Sequence, residues 1–232
     1  MNWTGGFGAY FVDEGEASRT SLRSIPLSAE MALPEDEIQA ISFEAPVGRS
    51  KLGLHVTRNA SPEIMAFVRD TQPAVLVGVG DLGWLADAKA ASPNTITLGR
   101  FEELDQSLDG DPEARAQAFV STHAARYLSN PGVDYWLGWN EPNIGSIADM
   151  AWYARFEAER ARLMDGLGLR VAVGNFSTGT PEADEFAAFV PAIEAAERYG
   201  GILSLHEYSA PSMADGVGLG IPGQDPEAEA GT

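Results

Sequence analysis

The stretch YWLGWNEP, at Tyr135–Pro142, joins an apolar, aromatic run to a polar motif. A short run of this kind that ends at a proline is typical of a buried β-strand leading into a loop. The proline also biases the preceding Glu141 towards an extended backbone. The stretch therefore predicts a strand over residues 135–139 that places Asn140 and Glu141 at one end of a sheet.

The alternation of strand-like and helix-like segments continues on both sides of this stretch. Three of the helix starts combine a capping residue, a proline and an acid, at Ser61-Pro62-Glu63, Asp111-Pro112-Glu113 and Thr180-Pro181-Glu182. Strands alternating with helices predict parallel pairing through right-handed crossovers. The other predicted strands are 52–57, 74–79, 95–98, 170–174 and 202–206, and the predicted helices are 61–70, 84–91, 111–128, 146–165 and 180–199.

Six βα units can be counted in this pattern, whereas a closed (β/α)8 barrel needs eight and about 250 residues. We therefore expect an α/β fold of the TIM-barrel type that is truncated or open. Residues 1–50 are expected to be an N-terminal extension or the remnant of a preceding domain. Residues 51–211 are the expected partial barrel, and 212–232 are expected to form a flexible tail rich in Gly, Pro and Glu.

The net charge of the chain limits the kinds of partner that we expect it to bind. Its 232 residues include 34 acidic and 15 basic side chains, a formal net charge of -19, and no cysteine. Such a charge repels phosphate, so we expect neither nucleic acid nor a membrane surface as a partner. The missing cysteines exclude thiolate nucleophiles and disulfides.

Targeting signals are not evident in the sequence. Residues 1–15 have no basic patch followed by an apolar stretch, and no apolar run approaches the roughly 20 residues that cross a bilayer. A cytoplasmic location is the default expectation, and secretion is expected if the natural N-terminus lies further upstream.

Two motifs at predicted strand ends carry a family resemblance. Asn140-Glu141-Pro142 follows the fourth strand, and Leu205-His206-Glu207-Tyr208 contains a His-x-Tyr element after the sixth. Together they resemble the clan A glycoside hydrolases, TIM-barrel enzymes with an acid/base on strand four and a nucleophile on strand seven. The resemblance spans roughly residues 51–211.

This resemblance implies a role for each matching residue. Glu141 would be the general acid/base, Asn140 would hold the sugar 2-hydroxyl, and Tyr208 would hydrogen-bond the nucleophile. The nucleophile itself would lie on a seventh strand that the sequence does not contain. Glu207 is a poor substitute, because strand alternation turns it away from His206 and Tyr208.

The remaining candidate contacts follow from position. Trp139 beside the motif offers an aromatic face for a sugar ring, and His206 and His55 lie at predicted strand ends where a substrate would bind. The predicted function is therefore cleavage of O-glycosidic bonds in an oligo- or polysaccharide by a retaining, two-carboxylate mechanism. No cofactor or metal is predicted. Structural roles stay open: Glu141 paired with an arginine, and the histidines as packing residues.

Three other functions remain as alternatives. Gly78, Gly80 and Gly83 form a G-x-G-x-x-G between a strand and a helix, which would suit an NAD(P)-binding Rossmann-type oxidoreductase. A complete strand–helix unit precedes it, whereas that fingerprint usually opens the sheet. A non-catalytic carbohydrate-binding barrel fragment is the second alternative. A metal hydrolase using His55, Asp81 and His206 is the third, although it lacks the paired-histidine spacing of zinc sites.

Overall fold

The computed structural model describes residues 53–59, 61–177 and 180–206. Strands and helices alternate throughout these residues. In chain order they are β1 (Leu54–Val56), α1 (Pro62–Thr71), β2 (Val75–Val79), α2 (Trp84–Ala91), β3 (Ile96–Arg100), α3 (Pro112–Leu128), β4 (Tyr135–Leu137), α4 (Ile147–Asp165), β5 (Val171–Phe176), α5 (Ala183–Arg198) and β6 (Ile202–Leu205).

All strands of the described residues lie in one parallel sheet, in the order β1-β2-β3-β4-β5-β6. Because every strand pairs with its neighbour in sequence, each helix is the crossover between adjacent strands, as in a TIM barrel. The sheet is a curled half-barrel of the α/β TIM-barrel type, which confirms the predicted fold class. Residues 1–50 and the tail at 212–232 lie outside the described residues.

The helix starts predicted at Ser61 and Asp111 are correct because local hydrogen bonds define them, whereas α5 begins at Ala183, later than the predicted start at Thr180. The Ser61 hydroxyl accepts from the Glu63 backbone N–H, and the Asp111 carboxylate accepts from the Ala114 N–H at 2.9 Å. A proline follows each cap, where its missing N–H costs no helical hydrogen bond. Caps of this kind stabilise a helix by about 1 kcal/mol each.

The core lies on both faces of the sheet. In β2, Leu76 packs into the large cluster beneath the helices, whereas Val75 and Val77 join a smaller cluster on the opposite face. Successive side chains of a strand point to opposite faces, so a strand buried on both sides is apolar throughout. The large cluster is rich in aromatic rings, namely Trp136, Trp139, Tyr153, Phe156, Phe176 and Phe189.

A buried ion pair joins α4 to the sheet. Glu157 and Arg160 are both fully buried, and two hydrogen bonds of 3.0 and 2.7 Å link their side chains. Arg160 also donates to the carbonyl oxygens of Trp136 on β4 (3.1 Å) and Ala172 on β5 (2.8 Å). A Cβ at Gly138 would lie 2.7 Å from the Glu157 carboxylate, so this close approach requires glycine.

Among the described residues, no helix combines the length and apolar character needed to cross a membrane.

Candidate functional site

The carboxyl ends of β4, β5 and β6 lie side by side and bring three polar side chains into contact. His206 Nδ1 lies 2.8 Å from Glu141 Oε1, and His206 Nε2 lies 2.8 Å from Asn175 Oδ1. The His206 side chain is 10% exposed and that of Glu141 is 34% exposed, whereas Asn175 is buried. The imidazole therefore bridges a buried amide and a carboxylate that solvent can reach.

The orientation of the Asn175 amide follows from its other neighbours. Its Nδ2 donates to the Trp139 carbonyl at 2.8 Å and lies 3.5 Å from Asn140 Oδ1, both of them acceptors. The Ser204 hydroxyl approaches Oδ1 at 3.5 Å from the other side. This network assigns the amide nitrogen to the β4 side and the oxygen to His206.

The backbone at this site adopts an unusual conformation. Glu141 has φ 51° and Asn175 has φ 59°, in the left-handed region that side chains rarely occupy. The Glu141 N–H donates to the Asn175 carbonyl at 2.9 Å, so each unusual residue stabilises the other. The expectation of an extended Glu141 before Pro142 is therefore wrong, because this hydrogen bond to β5 outweighs the local preference of a residue that precedes proline.

A bulge in β5 turns Asn175 towards His206. The pairing with β6 shifts register between Gly174 and Phe176, and Gly174 has φ 99°. A Cβ at Gly174 would lie 2.8 Å from the Ser204 carbonyl, while the Tyr153 hydroxyl donates to the Gly174 carbonyl at 3.0 Å. Burial raises the pKa of Tyr153 well above its usual value, so this donor keeps its proton. Bulges commonly redirect a side chain next to a functional site.

His55 is the middle residue of the short strand β1 and pairs with Val77 of β2. The surrounding protein, followed by the charges of Arg100 and His206, lowers the pKa of His55 from 6.5 to about 4. His55 is exposed overall, so the loss of hydration comes from the protein packed around part of its ring. His55 thus lies within electrostatic range of both Arg100 and His206.

The other residues predicted to contact a sugar are Trp139, Asn140 and Tyr208. Trp139 is 1% exposed and stacks on Phe156 with ring centroids 4.4 Å apart, as part of the aromatic core. Its contact with a sugar stays a prediction that this burial does not favour. Asn140 is half-buried beside Asn175, and Tyr208 lies outside the described residues.

Comparisons with known proteins returned one distant structural match. No family model matches the chain, and no curated protein matches it. A solved structure that resembles it is a sugar phosphate isomerase/epimerase from Parabacteroides distasonis, with 10% sequence identity and a TM-score of 0.43. The match covers 69% of this chain and 69% of that one.

These findings correct the predicted family and activity. The resemblance to clan A glycoside hydrolases is wrong: no family model supports it, and the matching structure is an isomerase/epimerase. The predicted retaining cleavage of glycosidic bonds, with Glu141 as its acid/base, is overturned with it. Asn-Glu-Pro and His-x-Tyr are short patterns that any parallel barrel can place at its strand ends, where polar residues of many chemistries collect.

The alternative functions gain no support either. A dinucleotide binds where the strand order of an open sheet reverses, and the described strands run in sequential order without a reversal. Gly80 has φ 72°, which accounts for a glycine after β2 without a bound phosphate. Within the described residues, no group of three or more histidine or acidic side chains is arranged to hold a metal ion.

Sequence reasoning did not identify Asn175. The signal was present, since Gly174-Asn175 is a polar dipeptide within an otherwise apolar strand end. Its contact with His206 depends on the bulge and on the pairing of β5 with β6, neither of which has a sequence pattern of its own.

Proposed function

We propose that the carboxyl ends of β4, β5 and β6 form an acid–base site that moves protons on a sugar or a related polyhydroxylated carbonyl compound. Isomerisation or epimerisation is the corresponding reaction class. The observation that carries this proposal is the 2.8 Å contact between Glu141 Oε1 and His206 Nδ1. A carboxylate and an imidazole at this distance can act on neighbouring atoms of one substrate.

The proposed reaction needs only proton transfers. Glu141 removes the proton from the carbon next to the carbonyl, and the electron pair of that C–H bond forms the double bond of an enediol. The carbonyl oxygen takes the Nδ1 proton of His206, which faces Glu141 before the substrate binds. Glu141 then gives its proton to the former carbonyl carbon while His206 takes the proton of the hydroxyl on the other carbon, which restores a carbonyl and gives the isomer. If the original carbon is instead protonated by solvent on its opposite face and His206 takes back the proton of the first hydroxyl, the epimer forms. Neither route consumes an oxidant or a reductant. A carboxylate base combined with an imidazole electrophile is an established arrangement for this chemistry.

The surroundings of the pair suit a small polar ligand. Glu141 is partly open to solvent while His206 is nearly enclosed, so a substrate would reach the carboxylate first. Parallel barrels collect substrate groups at this end of the strands. The half-buried Asn140 amide lies next to the pair, where it could bind a hydroxyl group.

The test is the exchange of substrate hydrogen with solvent. The protein is incubated in deuterated water with a panel of free and phosphorylated aldoses and ketoses, and proton NMR follows the signal next to the carbonyl. We expect exchange with at least one compound and a loss of about 10²-fold or more in Glu141→Gln, because the general base is removed.

The matched control is Glu197→Gln, which neutralises an exposed glutamate on α5. It should exchange at the parent rate. Absence of exchange across the whole panel would contradict the proposed function. Equal rates for Glu141→Gln and the parent would remove Glu141 from the reaction.

A further inference from the structure

We propose that Asn175 is a positioning residue that keeps both ring nitrogens of His206 protonated. This inference rests on the proposed function, in which His206 supplies a proton to the substrate. It deepens that function by naming Asn175 as the side chain that keeps His206, the proposed acid, doubly protonated.

The argument begins with the neighbours of the imidazole. Nδ1 faces the Glu141 carboxylate and Nε2 faces Asn175 Oδ1, each at 2.8 Å. A neutral imidazole carries one ring proton, so one nitrogen would present its lone pair to an acceptor. Only the doubly protonated ring donates to both oxygens.

The Asn175 amide cannot rotate by 180° to present its NH2 group, instead of its oxygen, to Nε2 of His206. Rotation would place Oδ1 against the Trp139 carbonyl, which now accepts from Nδ2 at 2.8 Å. The same rotation would bring Oδ1 towards Asn140 Oδ1, 3.5 Å from the present Nδ2. Both groups are acceptors, and Asn175 is only 1% exposed, so water does not replace the lost hydrogen bonds.

The backbone holds the amide in this place. The bulge between Gly174 and Phe176 and the left-handed φ of Asn175 direct the side chain towards His206. Hydrogen bonds from the Glu141 N–H to the Asn175 carbonyl and from Tyr153 to the Gly174 carbonyl fix both sides of the bulge. Asparagine is among the residues that best tolerate this conformation.

Nitrogen-15 NMR of histidine-labelled full-length protein at neutral pH tests the inference without any substrate. The spectrum contains three histidines, and the signals lost in His206→Gln identify those of His206. We expect two protonated ring nitrogens for His206 in the parent. In Asn175→Leu, which removes the second acceptor, we expect a neutral ring with its single proton on Nδ1, facing Glu141.

Two variants separate positioning from simple damage to the fold. Asn175→Asp keeps an oxygen facing Nε2 and, as a carboxylic acid, donates its O–H to the Trp139 carbonyl in place of Nδ2, so it should retain both ring protons. Ser204→Ala removes only the distant 3.5 Å contact and should leave the spectrum unchanged. A neutral His206 in the parent, with a proton on Nε2 alone and the other on Glu141, would overturn the inference. So would two ring protons in a folded Asn175→Leu.

The outcome is independent of turnover. A protein that exchanges no sugar hydrogen but has a doubly protonated His206 would lose the proposed function and keep the role of Asn175. A protein that exchanges sugar hydrogen but has a neutral His206 would keep the proposed function and lose the role of Asn175.

Discussion

Glu141 and Asn175 illustrate how single residues depart from their local preferences at the candidate site. Both have positive φ, and one backbone hydrogen bond of 2.9 Å joins them. Outside the glycines, the described residues contain one further positive φ, at Gln72, which ends α1. Conformations of this kind cost about 1–3 kcal/mol and persist where surrounding contacts stabilise them, often at functional sites.

His55 provides a pH prediction at the same scale. Burial first, and then the charges of Arg100 and His206, lower its pKa to about 4 in the folded protein. Between this value and 6.5 the folded state binds fewer protons than the unfolded state, so stability rises with pH. The contribution is complete above about pH 6.5 and is lost as the pH falls towards 4.

Replacing Arg100 by glutamine should therefore raise the pKa of His55 towards its ordinary value, because one neighbouring positive charge is gone. Titration of the His55 ring protons by NMR measures this change. The control is Arg58→Gln, an exposed position nearby in sequence. A pKa of His55 that does not move in Arg100→Gln would contradict the role of Arg100 and leave burial and the charge of His206 as its causes.

At the scale of secondary-structure elements, α4 holds the strands of the candidate site in place through hydrogen bonds. Its Arg160 joins the carbonyls of β4 and β5, and its Tyr153 binds the carbonyl that precedes Asn175. Burial by itself would lower the pKa of Arg160, but the Glu157 carboxylate raises it overall, so the guanidinium stays charged. One helix thus fixes the spacing of the two strands that deliver Glu141 and Asn175.

We expect Arg160→Met to destabilise the protein by about 3–5 kcal/mol, because it leaves the buried Glu157 carboxylate without its partner. Urea unfolding followed by tryptophan fluorescence measures the loss. The double variant Glu157→Gln with Arg160→Met should recover part of it, since no buried charge then remains unpaired.

The same helix supplies a matched control. Arg162 and Glu159 have the same three-residue spacing and a 2.6 Å contact, but the Arg162 side chain is 54% exposed. Arg162→Met should cost about 1 kcal/mol or less, as is typical of surface ion pairs. Equal costs for the two arginine variants would contradict a special role for the buried pair.

At the scale of the whole molecule, the formal charge of -19 should make stability depend on salt. Like charges repel one another in the compact state, and salt at 0.1 M screens this repulsion between charges more than about 10 Å apart. Raising sodium chloride from about 20 to 200 mM should increase the urea concentration at the unfolding midpoint. The increase should shrink as the pH approaches the isoelectric value of 4.3. A midpoint that falls with added salt would contradict this prediction.

Much of the architecture was predictable because it depends on local signals. The strand at 74–79 and the helix starts at Ser61 and Asp111 follow from an apolar run and from capping residues. Glu141 and His206 could be assigned to strand ends for the same reason. Their direct contact could not, since the two residues are separated by 65 positions and meet only through the order of β4, β5 and β6.

The sequence by itself determined the alternation of strands and helices, the parallel sheet and the strand ends that carry polar residues, because these depend on hydrophobic period and turn chemistry. Tertiary structure alone decided the left-handed Glu141, the bulge at Asn175 and the burial of Trp139. Each of these results from contacts between neighbouring strands or between α4 and the sheet, which outweigh the local preference of the chain. The motif after the fourth strand therefore indicated where the site lies, while its partners on β5 and β6 define the chemistry available there.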